Sequence, residues 1–510
     1  MTLMHRLLAG TAMALLAQSA AADISADDVW ANQVALAERT GATVSATQTR
    51  DGATLTVTDI VWDYVFPMGA GQMSLGLGSL FLTEIGDGTV AVSYGDVLPL
   101  TVSGEIAGPD SMTFDMAMEV AFTGHSSVAS GVPGDVTYTD ATDNLAITLV
   151  SFDSSELSDA DEVNIDLLLS IDDSRTITRV TEGDLLTVLS ESTTGRTISD
   201  IGFAIGPDVT SRAVSATGSA TATIDVALPA GPIDVMNLSQ ALRDGMKISL
   251  DATSNDIRSQ TIATLNGEMV SDQSQTVAGS TQGISLDAKG LSLTGTATDA
   301  RIDMPMDAAI PFPISLAIAG AEIGFLMPIN SADDPQPYFL TVNIGGLTIN
   351  EDIWSLLDMS RQLPRDPVDL LVRVGGTARV FVDLLDFERL VPFVDQGGIP
   401  AELNTLESLR MELSAVGVAA DAEGSFVFDN NDMVTFGGVP RPEGSLSANA
   451  SGVNALLDRL IAMGLVPEDQ AMMPRMMMGM FARVTGDDQL STTVEVNAEG
   501  HLIVNGQRMQ

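Results

Sequence analysis

The chain contains no cysteine in its 510 residues. That excludes a disulfide framework, a thiolate nucleophile and any zinc or iron–sulfur site built on cysteine. Positive charge is also scarce: Lys+Arg total 23 against 68 Asp+Glu, a net charge of −45. Lys247 and Lys289 are the only lysines. Clustered Lys and Arg are what hold a phosphate backbone, so nucleic acid is excluded as a partner class. Histidine is nearly missing. Beyond His5, only His125 and His501 could serve a Ser-His-acid triad, and no G-x-S-x-G elbow precedes a helix. His125 reads as a loop residue in Gly124-His125-Ser126-Ser127. Gly69, Gly71, Gly76 and Gly78 miss the G-x-G-x-x-G spacing, and no Walker A sequence occurs, so nucleotide binding has no support.

Apolar residues, in contrast, make up 45% of the chain, too many for an intrinsically disordered one. His5 and Arg6 precede an apolar run from Leu7 to Ala17, and Ala20-Ala21-Ala22 offers small residues for cleavage. This pattern predicts a signal peptide over residues 1–22, cut before Asp23. With no cysteine after the cut, a lipoprotein anchor is excluded. A second apolar stretch, Ile310 to Ile329, has the length of a membrane helix. Pro311, Pro313, Glu322 and the alternation of Ile314, Leu316 and Ile318 argue instead for two buried strands turning near Gly320. No transmembrane span is expected in the mature chain.

Period-two alternation dominates the rest. Val214, Ala216, Gly218, Ala220, Ala222, Ile224, Val226 and Leu228 read as one face of a single long extended segment. Leu291 to Met306 is a second, with a phase shift near Asp299. Turn signals such as Arg50-Asp51-Gly52 and Gly86-Asp87-Gly88 separate many shorter strands. Five short helices are expected: Ala26–Thr40 capped by Ser25, Val235–Asp244, one following Asn350, Val453–Met463, and one from Pro467 through Phe481. The fold class is therefore mainly β: long antiparallel twisted sheets, as a sandwich or an open groove, with about five short helices. Pro229-Ala230-Gly231-Pro232 suggests a division into N-terminal (23–230) and C-terminal (231–510) β-rich regions, unless the architecture is continuous. Long one-faced strands with few helices must bury apolar faces worth roughly 25 cal/mol per Å². Sheet on sheet does this, and so does a groove covered by lipid or a partner.

Carboxylates are too abundant for spacing to select a catalytic pair. Asp153, Glu156, Asp159, Asp161, Glu162 and Asp166 form the densest cluster, and Asp429-Asn430-Asn431-Asp432 a second oxygen-rich turn. Neither matches an EF-hand loop, so adventitious calcium and a plain solvated loop both stay open at each. No cofactor is implied. The most unusual local feature is Met472, Met473, Met476, Met477, Met478 and Met480, with Pro474 and Arg475 inside. Thioethers suit adaptable apolar contacts. Met472, Met473, Met476, Met477, Met480 and Phe481 are the candidate partner surface, against the alternatives of a core helix and a Cu(I) site.

Gly464-Leu465-Val466-Pro467, Gly479-Met480-Phe481-Ala482-Arg483, Asp487-Asp488 and Asn505-Gly506-Gln507-Arg508 resemble the end of the bacterial family called domain of unknown function 2125. Leu363-Pro364-Arg365-Asp366-Pro367 and Val29-Trp30 are similar to that family too. These motifs are short and carry no chemistry. The resemblance implies a Gram-negative envelope protein with no established activity. The combined expectation is an exported, periplasmic, non-enzymatic protein that meets lipid or an envelope partner through an apolar groove. The alternatives are a self-contained structural or interaction protein with closed sheets, and a carboxylate-dependent envelope hydrolase.

Overall fold

A computed structural model describes residues 23–66, 70–107, 111–155, 163–206, 208–231, 233–234, 236–306 and 312–509. The expected signal peptide lies outside the described residues, as do Glu156, Asp159, Asp161 and Glu162 of the acidic cluster.

Helix α1 (Ala26–Arg39) leads into strands β1 (Thr43–Asp51), β2 (Thr54–Phe66), β3 (Gly71–Leu77), β4 (Leu80–Glu84), β5 (Val90–Ser93), β6 (Val97–Ile106), β7 (Met112–Thr123), β8 (Ser126–Val132) and β9 (Asp135–Ser154). Strands β10 (Val163–Thr181), β11 (Leu185–Thr194), β12 (Thr197–Ile205), β13 (Val209–Thr217) and β14 (Ser219–Pro229) follow, then α2 (Leu238–Arg243). Next come β15 (Lys247–Leu265), β16 (Glu268–Asp287), β17 (Gly290–Met304), β18 (Ile314–Met327) and β19 (Gln336–Ile349), then α3 (Glu351–Leu357), β20 (Val368–Val380) and α4 (Phe387–Asp395). The chain closes with β21 (Ala401–Ala415), β22 (Val418–Asp429), β23 (Arg441–Ser451), α5 (Val453–Ala462), α6 (Glu468–Phe481), β24 (Arg483–Gly486), β25 (Gln489–Val496), β26 (Leu502–Val504) and β27 (Gln507–Arg508).

All 27 strands among the described residues belong to one sheet, and neighbours pair antiparallel. The sheet continues past residue 230 because β14 pairs with β15. From β15 to β23 it is a meander of long hairpins. Before that, long strands alternate with short strands laid end to end. β2 pairs with β4 through Thr54–Val57 and with β3 through Ile60–Phe66. β10 likewise pairs with β11 along one half and β12 along the other, and β15 with β14 and β13. The breaks between those short strands fall at or beside Gly78, Gly95, Gly124, Gly195 and Gly218.

In four of the long strands that cross this line of breaks, β2, β10, β15 and β17, one residue takes a left-handed backbone: Asp59 (φ 53°), Asp173 (φ 50°), Asp256 (φ 52°) and Asp299 (φ 47°). Gly346 (φ 68°) continues the line on β19. Short polar Asp, and Gly, adopt this conformation at least cost. The line is a lengthwise crease dividing the sheet into a near limb, which carries α1, and a far limb.

The crease also solves a patterning problem. Side chains alternate faces along a strand, so one inserted residue moves every later side chain to the other face. In β2 the inward residues are Leu55 and Val57 on the near limb, then Ile60 and Trp62 on the far limb. The switch occurs at Asp59. The same change separates Leu250 and Ala252 from Ile257 and Ala263 around Asp256, and Leu291 and Leu293 from Ile302 around Asp299. One apolar face is thereby kept continuous over both limbs.

The packed core is concentrated at the α1 end. Ile24, Val29 and Trp30 lie against Leu55, Val57, Leu80, Leu82, Val90, Val136, Tyr138, Val180 and Leu186. Ser25 caps α1 in a reciprocal capping box with Asp28, as expected from the sequence. Inside this core Asn32 accepts from the Tyr138 hydroxyl (2.9 Å) and donates to Glu182 (3.1 Å), satisfying its own buried amide. A smaller core gathers Ala241, Leu242, Met246 and Ile329 at the end of the near limb. There Arg243, the last residue of α2, forks onto Asp383 in the loop after β20, joining segments far apart in sequence.

Three expectations need correction. The run from Val214 to Leu228 is two strands, β13 and β14, broken at Gly218. Ala213 pairs with inward Ile201, so Val214 and Ala216 face away from the side that Ala220–Leu228 occupy. Gly320 is not a turn: β18 passes straight through it, pairing with Thr298 and Gly345 beside the crease. There are six helices among the described residues; α4 was not expected, because Pro392 sits inside it.

Candidate apolar trough

Successive cross-strand partners show what the continuous face is made of. On the near limb one row runs Ile224–Leu250–Ile284–Leu293–Phe325–Leu340–Val374–Leu409. A parallel row, closer to the crease, runs Ile323–Val342–Val372–Met411–Ala422–Ala448. On the far limb Trp62–Leu75–Val102–Met116–Phe152 and Ile165–Phe203 continue the surface toward the N-terminal end. Apolar side chains thus line a track over roughly twenty strand rows, about 100 Å at 4.8 Å per row.

This face is not closed by packing. Ile284, Ile323 and Met411 remain 47%, 46% and 43% exposed. Ile201, Phe203, Ile224, Ile248, Leu340 and Leu413 are exposed to a similar degree. The opposite face is mainly polar: Asp225, Ser249, Asp251, Thr253, Ser285, Thr294 and Thr296 alternate with the apolar set, although Ile177 and Leu189 are exposed there. It also carries cross-strand ion pairs, Arg179 on Asp135 (2.8 and 2.6 Å) and Lys247 on Asp225 (2.5 Å). Contiguous apolar surface of this extent is larger than most soluble monomers expose.

Both ends of the trough are covered. At the C-terminal end the inward residues shrink to Ala420, Ala422, Ala448 and Ala450, and α6 lies above them. Between floor and helix is a cavity of about 460 Å³, lined also by Leu370, Met411, Leu413, Met478, Ala482 and Leu490. The expected Met surface is therefore divided. Met478 faces the cavity, while Met472, Met473, Met476, Met477 and Met480 point to solvent, Met476 being 68% exposed; Phe481 lies at the border of exposure. Arg475 ties α6 to Asp458 of α5. At the N-terminal end α1 covers a second cavity, of about 350 Å³, walled by residues of both limbs.

Among the described residues the polar candidates make the following contacts. His125 is half-buried rather than in an open loop, with its ring 4.8 Å from Phe122 and its Nδ1 2.9 Å from the Thr142 hydroxyl. Asp429 and Asp432 face the Arg441 guanidinium at 3.0 and 3.3 Å. No group of three or more His, Asp or Glu side chains among the described residues is placed to hold a metal ion. Carboxyls whose titration departs from the ordinary range are shifted down. Burial opposes the charge of Asp358, but Arg365 and the Gln362 and Leu363 N–H groups hold its pKa at about 2. At Asp383 burial is likewise outweighed, by Arg243 and Ser331, again giving about 2. A general acid needs the opposite shift. The trough itself was anticipated only as one of two solutions. What sequence reasoning missed is the crease, whose signal is a change of apolar phase at an Asp inside a strand.

No family model matches the chain, and no curated protein matches it. One solved structure, the alcaligin outer membrane receptor FauA from Bordetella pertussis, is 8% identical over 91% of this chain and 73% of that one, with a TM-score of 0.19. No helix among the described residues is long and apolar enough to cross a membrane.

Proposed function

We propose that this chain is an exported, non-enzymatic envelope protein that shelters lipid acyl chains in its apolar trough. The observation that carries this is the single continuous apolar face, kept in phase across the crease and left about half exposed along its floor. Hydrocarbon fits such a floor for a physical reason. The floor's backbone groups are spent within the sheet, so an extended peptide would bury unpaired N–H and C=O groups there. An acyl chain has none to satisfy. The N-terminal sequence pattern and the acidic outer face support export to the periplasm in a soluble state. The net charge of −45 disfavours docking onto anionic membrane surfaces, so contact with lipid runs through the trough. Organic extraction of protein purified without detergent tests this. Recovery of acyl-bearing lipid near or above one molecule per chain is expected; lipid-free protein that also refuses added lipid would overturn it.

A further inference from the structure

The two edges of the sheet differ. At the C-terminal end the edge is broken into β24, four residues long, and β27, two residues long. Short edge strands are one way native sheets discourage pairing with another chain. The other edge is β1, nine residues long and paired only with β2 among the described residues. It holds no proline and no lysine, and the extra residue of the bulge opposite it, Asp59, lies in β2. Thr43, Ser45 and residues 47–51 are exposed. Gly52 (φ 57°) and Ala53 form a two-residue turn that closes on Asp51 and Thr54. Such turns hydrogen-bond their closing pair, so by alternation Gln48 and Arg50 aim their main-chain N–H and C=O groups at the open edge. A row of free main-chain groups selects an extended strand. We infer that this strand is β1 of a second copy, added antiparallel about a two-fold axis through Thr47. That register uses the whole length of β1. On the outer face Thr47 meets Thr47, Ser45 meets Thr49 and Thr43 meets Asp51, so hydroxyls pair and no like charges meet. On the inner face Val44 meets Arg50, whose guanidinium is held by Asp27 and Glu84 of its own chain. Such neutrality matters between two chains of net charge −45 each. Head-to-tail pairing lacks a matching edge, because β24 and β27 are too short. Because β1 runs antiparallel to its copy, each α1 stands beside the other copy's far limb, and both apolar faces lie on one side. The inference does not depend on what fills the trough.

The absence of cysteine makes it testable, because Thr47→Cys gives a full chain with a single thiol, placed on the axis. Directly opposed residues lie about 4.5–5.5 Å apart, within disulfide reach. Residues eight positions along are about 27 Å apart. Mild oxidation should therefore convert most of the Thr47→Cys protein into a disulfide dimer. Thr43→Cys and Asp51→Cys should each stay monomeric alone, yet crosslink to one another when mixed. By sedimentation the unaltered chain should show a concentration-dependent dimer, since one edge strand is small against the roughly 800 Å² per partner of a stable complex. Gln48→Pro removes an outward N–H, a change edge strands tolerate, and should weaken that dimer at least about 10-fold with circular dichroism unchanged. An unaltered chain still monomeric at about 100 μM, with no more disulfide from Thr47→Cys than from Asp51→Cys, would overturn the inference. So would a dimer that crosslinks in neither register, since its interface lies elsewhere. A monomer whose Thr47→Cys thiol crosslinks in cells to another protein would assign the edge to a foreign strand and refute the second copy.

Discussion

At the scale of single residues, acidic side chains do two different jobs. On the polar face they meet water or arginine and contribute little individually. Asp358 is different: its side chain is fully buried, and it accepts from Gln362 N (2.9 Å), Leu363 N (2.8 Å) and Arg365 Nη1 (2.7 Å). It fixes the loop leaving α3, where Arg365 also stacks on Trp354 at 4.5 Å. Because its folded pKa, about 2, lies below the ordinary 3.8, the folded state binds the proton less readily than the unfolded chain. Its contribution is therefore complete above about pH 4 and is lost as pH falls toward 2. Asp383 adds a loss in the same window. Urea midpoints measured from pH 6 to pH 2 should fall most steeply between 4 and 2, and Asp358→Asn should flatten that fall. An unchanged slope in the variant would show that Asp358 carries none of it. The sequence displayed Leu363-Pro364-Arg365 as a motif but gave no sign of the buried carboxylate behind it, since one Asp among many looks like surface.

At the scale of elements, strand alternation and helix caps were legible, and pairing across the crease was not. The phase shift near Asp299 could be read because large residues, Leu291, Leu293 and Ile302, mark the face on both sides of it. Around Gly218 the markers are Ala and Ser, which suit either face, so two strands looked like one. Helix α4 was hidden by Pro392, although its N-cap Asp386 accepts from Arg389 N and secures its start. The crease makes a mutational prediction. Asp299→Val puts a β-branched residue at φ 47° and should lower stability by about 1–2 kcal/mol, whereas Asp299→Gly should retain most of it. Denaturant midpoints of both variants decide this; equal losses would mean that the left-handed backbone at Asp299 is not what matters.

At the scale of the whole molecule, the balance of charge and apolar surface is set by the fold. The sheet keeps acids on one face and hydrocarbon-compatible residues on the other, which explains how a chain with 45% apolar residues tolerates a net charge of −45. Self-repulsion across that outer face should be screened by salt, as the Debye length falls from about 30 Å at 10 mM toward a few Å at 500 mM. The melting temperature should therefore rise across that range, and a flat or falling one would show that repulsion is not limiting. Why composition alone could not decide between closed sheets and an open trough is also clear at this scale. Both need the same alternating strands; they differ in whether a second layer lies over the apolar face, which depends on long-range pairing.

The most direct test of the trough is a photo-crosslinking scan in cells. A photoreactive residue placed at Ile284, Ile323 or Met411 projects from the trough floor, and one at Thr294 or Thr296 projects from the opposite face. Crosslinks to acyl-bearing lipid at the floor positions and none at the outer positions are the predicted result. Equal labelling of both faces, or crosslinks at the floor to protein alone, would contradict the account.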